Sequence, residues 1–200
     1  MITLSVNLNK IALLRNSRDG GKPSVTDAAR EAIARGAGGI TVHPRPDQRH
    51  IRPQDVYALA QLLADDYPSV EFNIEGNPFA GPTQAGYPGF RHLVEATKPH
   101  QVTLVPDSDD QLTSDHGWDL TTPAPALEIE IAAYRAMGCR VSLFVDPVMD
   151  QMATAKVIGA DRIEFYTGPY AKTYWTHGPS DDRTRDCFAQ FCQAAEGALT

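Results

Sequence analysis

Two hundred residues with 42% hydrophobic content are enough for one domain with a sizeable core. A formal net charge of −7 argues against a general nucleic-acid-binding role, because a polyanion requires a basic face. No stretch is long and apolar enough to span a bilayer, and the N-terminus lacks the basic-then-apolar layout of a signal peptide. Cys139, Cys187 and Cys192 are odd in number and widely spaced, which favours reduced thiols over a disulfide framework or a zinc ribbon.

In chain order, short β-branched runs at Leu4–Leu8, Gly39–His43, Val70–Ile74, Gln101–Val105, Arg140–Val145 and Arg162–Tyr166 predict six strands. They read as near-continuous apolar segments, as when both faces of a parallel sheet are covered. Helical periodicity falls between them. Val25–Arg35 carries Ala28, Ala29, Ala32 and Ile33 on one side, with Gly36 at the C-cap position. Pro53–Asp65 opens on proline and aligns Val56, Leu59, Ala60 and Leu63. Further helices are predicted over Phe90–Thr97, Leu127–Met137, Gln151–Ile158 and Arg183–Ala198, with Gly138 and Gly159 marking helix ends.

Strand–helix alternation of this kind implies right-handed βαβ units. Neither a G-x-G-x-x-G turn nor a P-loop is present, which weakens the case for a doubly wound sheet. Polar residues follow almost every strand, which suits an α/β fold of the TIM-type (β/α) barrel, where all strand ends converge on one mouth. Two long connections, 76–89 and 106–125, follow strands and are expected at that mouth as potential lids. The second holds Asp107, Asp109 and Asp110, which lack the glycine and terminal glutamate of a calcium loop and read better as solvated.

The densest strand ending runs from Ile40 through His43, Arg45, Arg49 and His50 to Ile51. A histidine followed by arginines at a strand terminus suits an anion-handling site, although such a histidine is also often an ordinary surface residue. Arg15, Arg18, Arg45, Arg49 and Arg52 are local basic groups able to bind a small phosphate; Arg49 and Arg52 equally suit solvated or helix-start positions. Glu75 follows an apolar strand, where partial burial would raise its pKa, or it simply bonds the following Gly-Asn turn. His92, His100 and His177 read as surface or helix-end residues. His43 and His50 do not form a recognisable zinc pair, so no metal site is expected.

Seven ordered blocks resemble the pyridoxine 5′-phosphate synthase family: 6–18, 39–51, 72–76, 101–106, 111–117, 141–146 and 163–171. The resemblance implies a ring-closing condensation of 3-amino-2-oxopropyl phosphate with 1-deoxy-D-xylulose 5-phosphate, giving pyridoxine 5′-phosphate, phosphate and water. It implies general acid–base chemistry, with no metal and no organic cofactor. It further implies a cytoplasmic homo-oligomer, octameric in the family, with phosphorylated small molecules as its partners. Position by position, His43 and Glu75 match the acid–base residues. Asn7, Asn9, Lys10, Arg18, Arg45, His50 and Thr113 match substrate-binding positions, and Glu164 matches a carboxylate ending the sixth strand.

Two departures stand out. Asn9-Lys10 occupies a place where many members carry Asp-His. Six strands are counted where the family barrel has eight, so residues 1–200 are expected to be a single barrel domain truncated at its C-terminus. The absent part would hold the family's seventh-strand histidine segment and eighth-strand glycine-rich phosphate site. Two other functions fit the bare residues: another sugar-phosphate aldolase or isomerase barrel, or an inactive phosphate-ligand-binding remnant. A Schiff-base aldolase would use Lys10, because Lys98 and Lys156 fall on predicted helices and Lys172 in a predicted loop.

Overall fold

The computed structural model describes residues 2–18, 20–108, 111 and 113–199. Asp109 and Asp110 of the acidic loop lie outside the described residues. Six parallel strands form one sheet in strict sequence order: β1 (Ser5–Asn7), β2 (Gly39–Val42), β3 (Glu71–Gly76), β4 (Gln101–Leu104), β5 (Arg140–Val145) and β6 (Arg162–Phe165). A doubly wound sheet reverses its order partway, whereas this one adds every strand on the same side, the winding of a (β/α) barrel. β1 and β6 form its two edges and are more exposed than the inner strands.

The strand positions match the sequence expectation, but their chemistry differs from it. Rather than running apolar throughout, the strands alternate. Val6, Ile40, Val42, Phe72, Ile74, Val102, Leu104, Val141, Leu143 and Val145 belong to the apolar core cluster or pack against it. The intervening residues, Phe144 apart, are polar and meet on the concave side of the sheet. Ser5 Oγ lies 2.8 Å from Thr41 Oγ1, Asn73 Nδ2 donates to Thr41 Oγ1, and Thr103 Oγ1 donates to Asn73 Oδ1. Below them, Arg140 bonds Gln101 Oε1 and pairs with Glu71. Buried polar groups need partners, and register supplies them: Asn7, Thr41, Asn73 and Gln101 are successive pairing partners across β1 to β4.

Helices cover the convex face. The expected helices become α2 (Val25–Ala34), α3 (Pro53–Asp66), α4 (Phe90–Thr97), α5 (Pro125–Ala136), α6 (Met149–Val157) and α8 (Asp182–Ala198). Ser24 caps α2 by accepting the Asp27 N–H, and Gly36 follows it at φ +98°. Two helices were not expected: α1 (Asn9–Asn16) and α7 (Gly168–His177). Both begin without a side-chain cap, although Pro169 in the first turn of α7 was a start signal that the sequence did offer. Lys172 therefore sits on α7 rather than in a loop. No helix among the described residues is long and apolar enough to cross a membrane.

Candidate active site at the strand C-termini

The C-terminal ends of the strands open into a cavity of about 590 Å³. Its lining includes Asn7, Asn9, Lys10, His43, Arg45, His50, Glu75, Thr113 and Glu164. Sequence reasoning named all of these. Arg18 is the exception: it is exposed beyond the end of α1 and does not line the cavity.

The β1–α1 corner is tied to its neighbours by two asparagines. Asn7 Oδ1 accepts the Asn9 N–H, while Asn7 Nδ2 donates to Glu75 Oε2 at 3.3 Å. Asn9 Oδ1 accepts the His43 N–H at 2.8 Å, which locks the start of α1 to the end of β2. The segment after β2 folds back on itself through a Pro44–Ile51 bridge and is anchored from α1. Arg15 and Asn16 both donate to the His50 carbonyl, and Arg15 ion-pairs Asp55 in the first turn of α3. Arg15 thus has a structural place outside the cavity, whereas Arg49 lines it, bonded to Asp47 and the Gln111 carbonyl. Arg52 is the N-cap of α3, with its N–H on Asp55 Oδ2.

Charge divides the cavity. Lys10, Arg45, Arg49 and His50 come from the β1 and β2 connections, while Glu75 and Glu164 come from β3 and β6. Phosphate oxygens suit the first side and proton transfer the second. Burial among neighbouring groups, followed by the charges of Glu164 and Asp107, pushes the Glu75 carboxyl up to about 8. The Glu164 carboxyl also rises, through desolvation by the groups around it, although the residue is exposed on the edge strand β6. Desolvation, then the Arg45 and His50 charges, holds the buried His43 imidazole down to about 3. Desolvation and Arg45 likewise hold His50 at about 4. At neutral pH the cavity therefore presents a protonated carboxylic acid and a neutral imidazole, two groups pushed apart in opposite directions.

One residue of this site was misjudged from sequence. Asp107 is not solvated: it is 6% exposed and accepts from Arg45 Nη1 at 2.5 Å and Ser114 Oγ at 2.8 Å. Its position just after Val105-Pro106 at the end of β4 repeats the pattern of the other site residues, a signal masked by the two further aspartates in the loop. Residues 113–118 of the connection after β4 lie at the mouth, where Thr113 and Ser114 line the cavity. Trp118 donates its N–H to the Phe144 carbonyl and its indole Nε1–H to the Leu104 carbonyl, with Phe79 edge-on against the indole. At Gly117 a Cβ would lie 2.3 Å from the Val145 backbone, so only glycine permits this approach. Among the described residues no group of three or more His, Cys, Asp or Glu is placed to hold a metal ion.

Sequentially wound parallel strands with acid–base and cationic side chains at their C-terminal ends define an enzyme of the TIM-type (β/α)-barrel class. The chain belongs to the family of the pyridoxal phosphate biosynthesis protein PdxJ, whose profile matches residues 4–200. A pyridoxine 5′-phosphate synthase of Xanthomonas campestris pv. campestris is 59% identical over 195 residues, covering 98% of this chain and 73% of that protein. Another, from Xylella fastidiosa, is 53% identical over 193 residues, covering 96% of this chain and 72% of that protein. Among solved structures, a mandelate oxidase crystallised with benzoyl-formic acid superposes with a TM-score of 0.55 at 12% identity. That match covers 99% of this chain and 64% of the oxidase, a likeness of fold alone.

Proposed function

We propose that this protein is a pyridoxine 5′-phosphate synthase that condenses 3-amino-2-oxopropyl phosphate with 1-deoxy-D-xylulose 5-phosphate. The observation that carries the reading is the shared cavity: His43 and Glu75 line the same space as Lys10, Arg49 and His50 at the strand C-termini of a barrel of this family. Attack of an amine on a ketone gives a carbinolamine whose hydroxyl leaves as water only when protonated. Glu75 donates that proton, and Glu164, lining the same cavity, shares it. Removal of protons from nitrogen and carbon before ring closure requires a base, the role of neutral His43. Lys10, Arg49 and His50 receive phosphate oxygens, and Asn7 and Asn9 hold the corner on which these groups stand. Thr113 contributes a hydroxyl from the connection after β4.

Arg45 and Arg18 belong to the same proposal as phosphate contacts of the substrate-bound enzyme. Arg45 approaches the phosphate through its Nε–H, since its Nη groups are engaged by Asp107 and by the Ser108 and Gln111 carbonyls. The reaction draws on no cofactor. A homo-oligomer in the cytoplasm accords with the family and with three free cysteines, one of them buried. The test is a mixture of the purified chain with both substrates, followed for pyridoxine 5′-phosphate by chromatography and for inorganic phosphate. Product and phosphate released in equal amounts are expected; consumption of neither substrate would refute the reading.

A further inference from the structure

Asp107 is held more tightly than a loop anchor requires. With Arg45 it forms a buried ion pair in which each side chain is 4% exposed. Such pairs gain most when both carboxylate oxygens meet the guanidinium fork. Here only Oδ2 is used. It accepts from Arg45 Nη1 and from Ser114 Oγ, while Oδ1 is buried with no hydrogen-bond partner among the described residues. A buried carboxylate oxygen without a donor is costly unless function retains it. The imidazole of His43 faces this carboxylate, with Nε2 4.0 Å from Oδ2. That separation is beyond hydrogen-bond range, but within the distance over which loose contacts of a substrate-free site tighten. The surroundings fix both partners. Asn9 holds the His43 backbone N–H, and Asn77 donates to the Asp107 carbonyl at 2.8 Å.

We propose that Asp107 is a positioning residue for His43: it receives the Nε2–H, fixes that tautomer, and leaves Nδ1 as the atom that accepts a proton from substrate. The inference rests on the proposed function for its catalytic meaning, though its structural content stands apart. Arg45 completes the arrangement. By donating Nη1 to Asp107 Oδ2 and Nη2 to the Ser108 and Gln111 carbonyls, it fixes the carboxylate in place opposite the ring.

The test joins two readouts on the full chain: the His43 tautomer from 15N-histidine NMR at neutral pH, and steady-state kinetics. Wild type is expected to show Nε2–H. In D107N, Arg45 holds the carboxamide oxygen and turns its NH2 toward the ring, so His43 should invert to Nδ1–H. kcat should fall about 10²- to 10⁴-fold, the range for a misdirected general base, with KM moved far less. D107E, which restores the charge on a longer arm, should return the Nε2–H tautomer and at least about tenfold of the lost rate. An unmoved tautomer in D107N overturns the inference, whatever the rate does. If D107N fails to fold, an inverted tautomer in D107E overturns it equally. Tautomer inversion in D107N, with a wild-type chain that keeps Nε2–H but makes no product, leaves the positioning inference standing and removes the proposed reaction instead.

Discussion

At the residue scale, the proposed chemistry depends on Glu75 staying protonated through neutral pH. Burial is the largest cause, and the neighbouring Glu164 charge the next. Two carboxyl groups in one desolvated space titrate as a pair, each disfavouring ionisation of the other. If the acid form is the active one, turnover falls as pH rises through about 8. E164Q removes the like charge and lowers the Glu75 pKa, so the alkaline limb of kcat/KM should move to lower pH. A limb that stays in place would show that Glu164 does not act on Glu75. Asn7 and Asn9 serve the same centre through hydrogen bonds to Glu75 and to the His43 backbone, and Asn9 needs no negative charge to make its contact. This explains how asparagine serves at a position where an aspartate was the common expectation.

At the scale of elements, the loop bearing His43, Arg45 and His50 is held by α1 and by the start of α3. Arg15 makes two contacts with Asp55, each side chain 13% exposed, and the Asp55 carboxylate also accepts the Arg52 N–H at the helix start. D55A removes a helix-start acceptor and leaves Arg15 half-buried without its carboxylate. A loss of about 2–3 kcal/mol in urea unfolding is expected, with weaker binding of substrate phosphate as His50 loses its anchor. A change below about 0.5 kcal/mol would place the anchor elsewhere. α1 was hidden from the sequence because Asn9-Lys10 reads as site chemistry and its N-cap residue, Leu8, offers no side-chain acceptor. The polar interior was hidden for a related reason. Ser5, Thr41, Asn73 and Thr103 are small polar residues between apolar ones, and only their shared concave face reveals that they bond one another. Strand positions, by contrast, were legible from β-branched runs bounded by Gly36, Gly138 and Gly159, each at positive φ.

For the molecule as a whole, a sheet that adds strands in one direction brings six strand ends to one place, and the cavity is a consequence of that winding. The winding was inferable from what the chain lacks, a nucleotide-binding glycine turn, together with polar residues after almost every strand. Asp107 escaped because its burial depends on Arg45, 62 residues earlier, and on a close approach of the chain at Gly117. No local pattern encodes such a contact. The net charge of −7 is distributed so that the cations of the mouth lie on the β1–β2 side and the acids face them from β3 and β6.

The central claim, a protonated Glu75 acting as the acid in ring formation, is tested most directly by E75Q. The amide keeps the shape and the contact to Asn7 but has no proton to give. Formation of pyridoxine 5′-phosphate by the wild-type chain should fall by about 10²-fold or more in E75Q, with calorimetric binding of the two substrates retained. Product formed by E75Q at the wild-type rate would contradict the account.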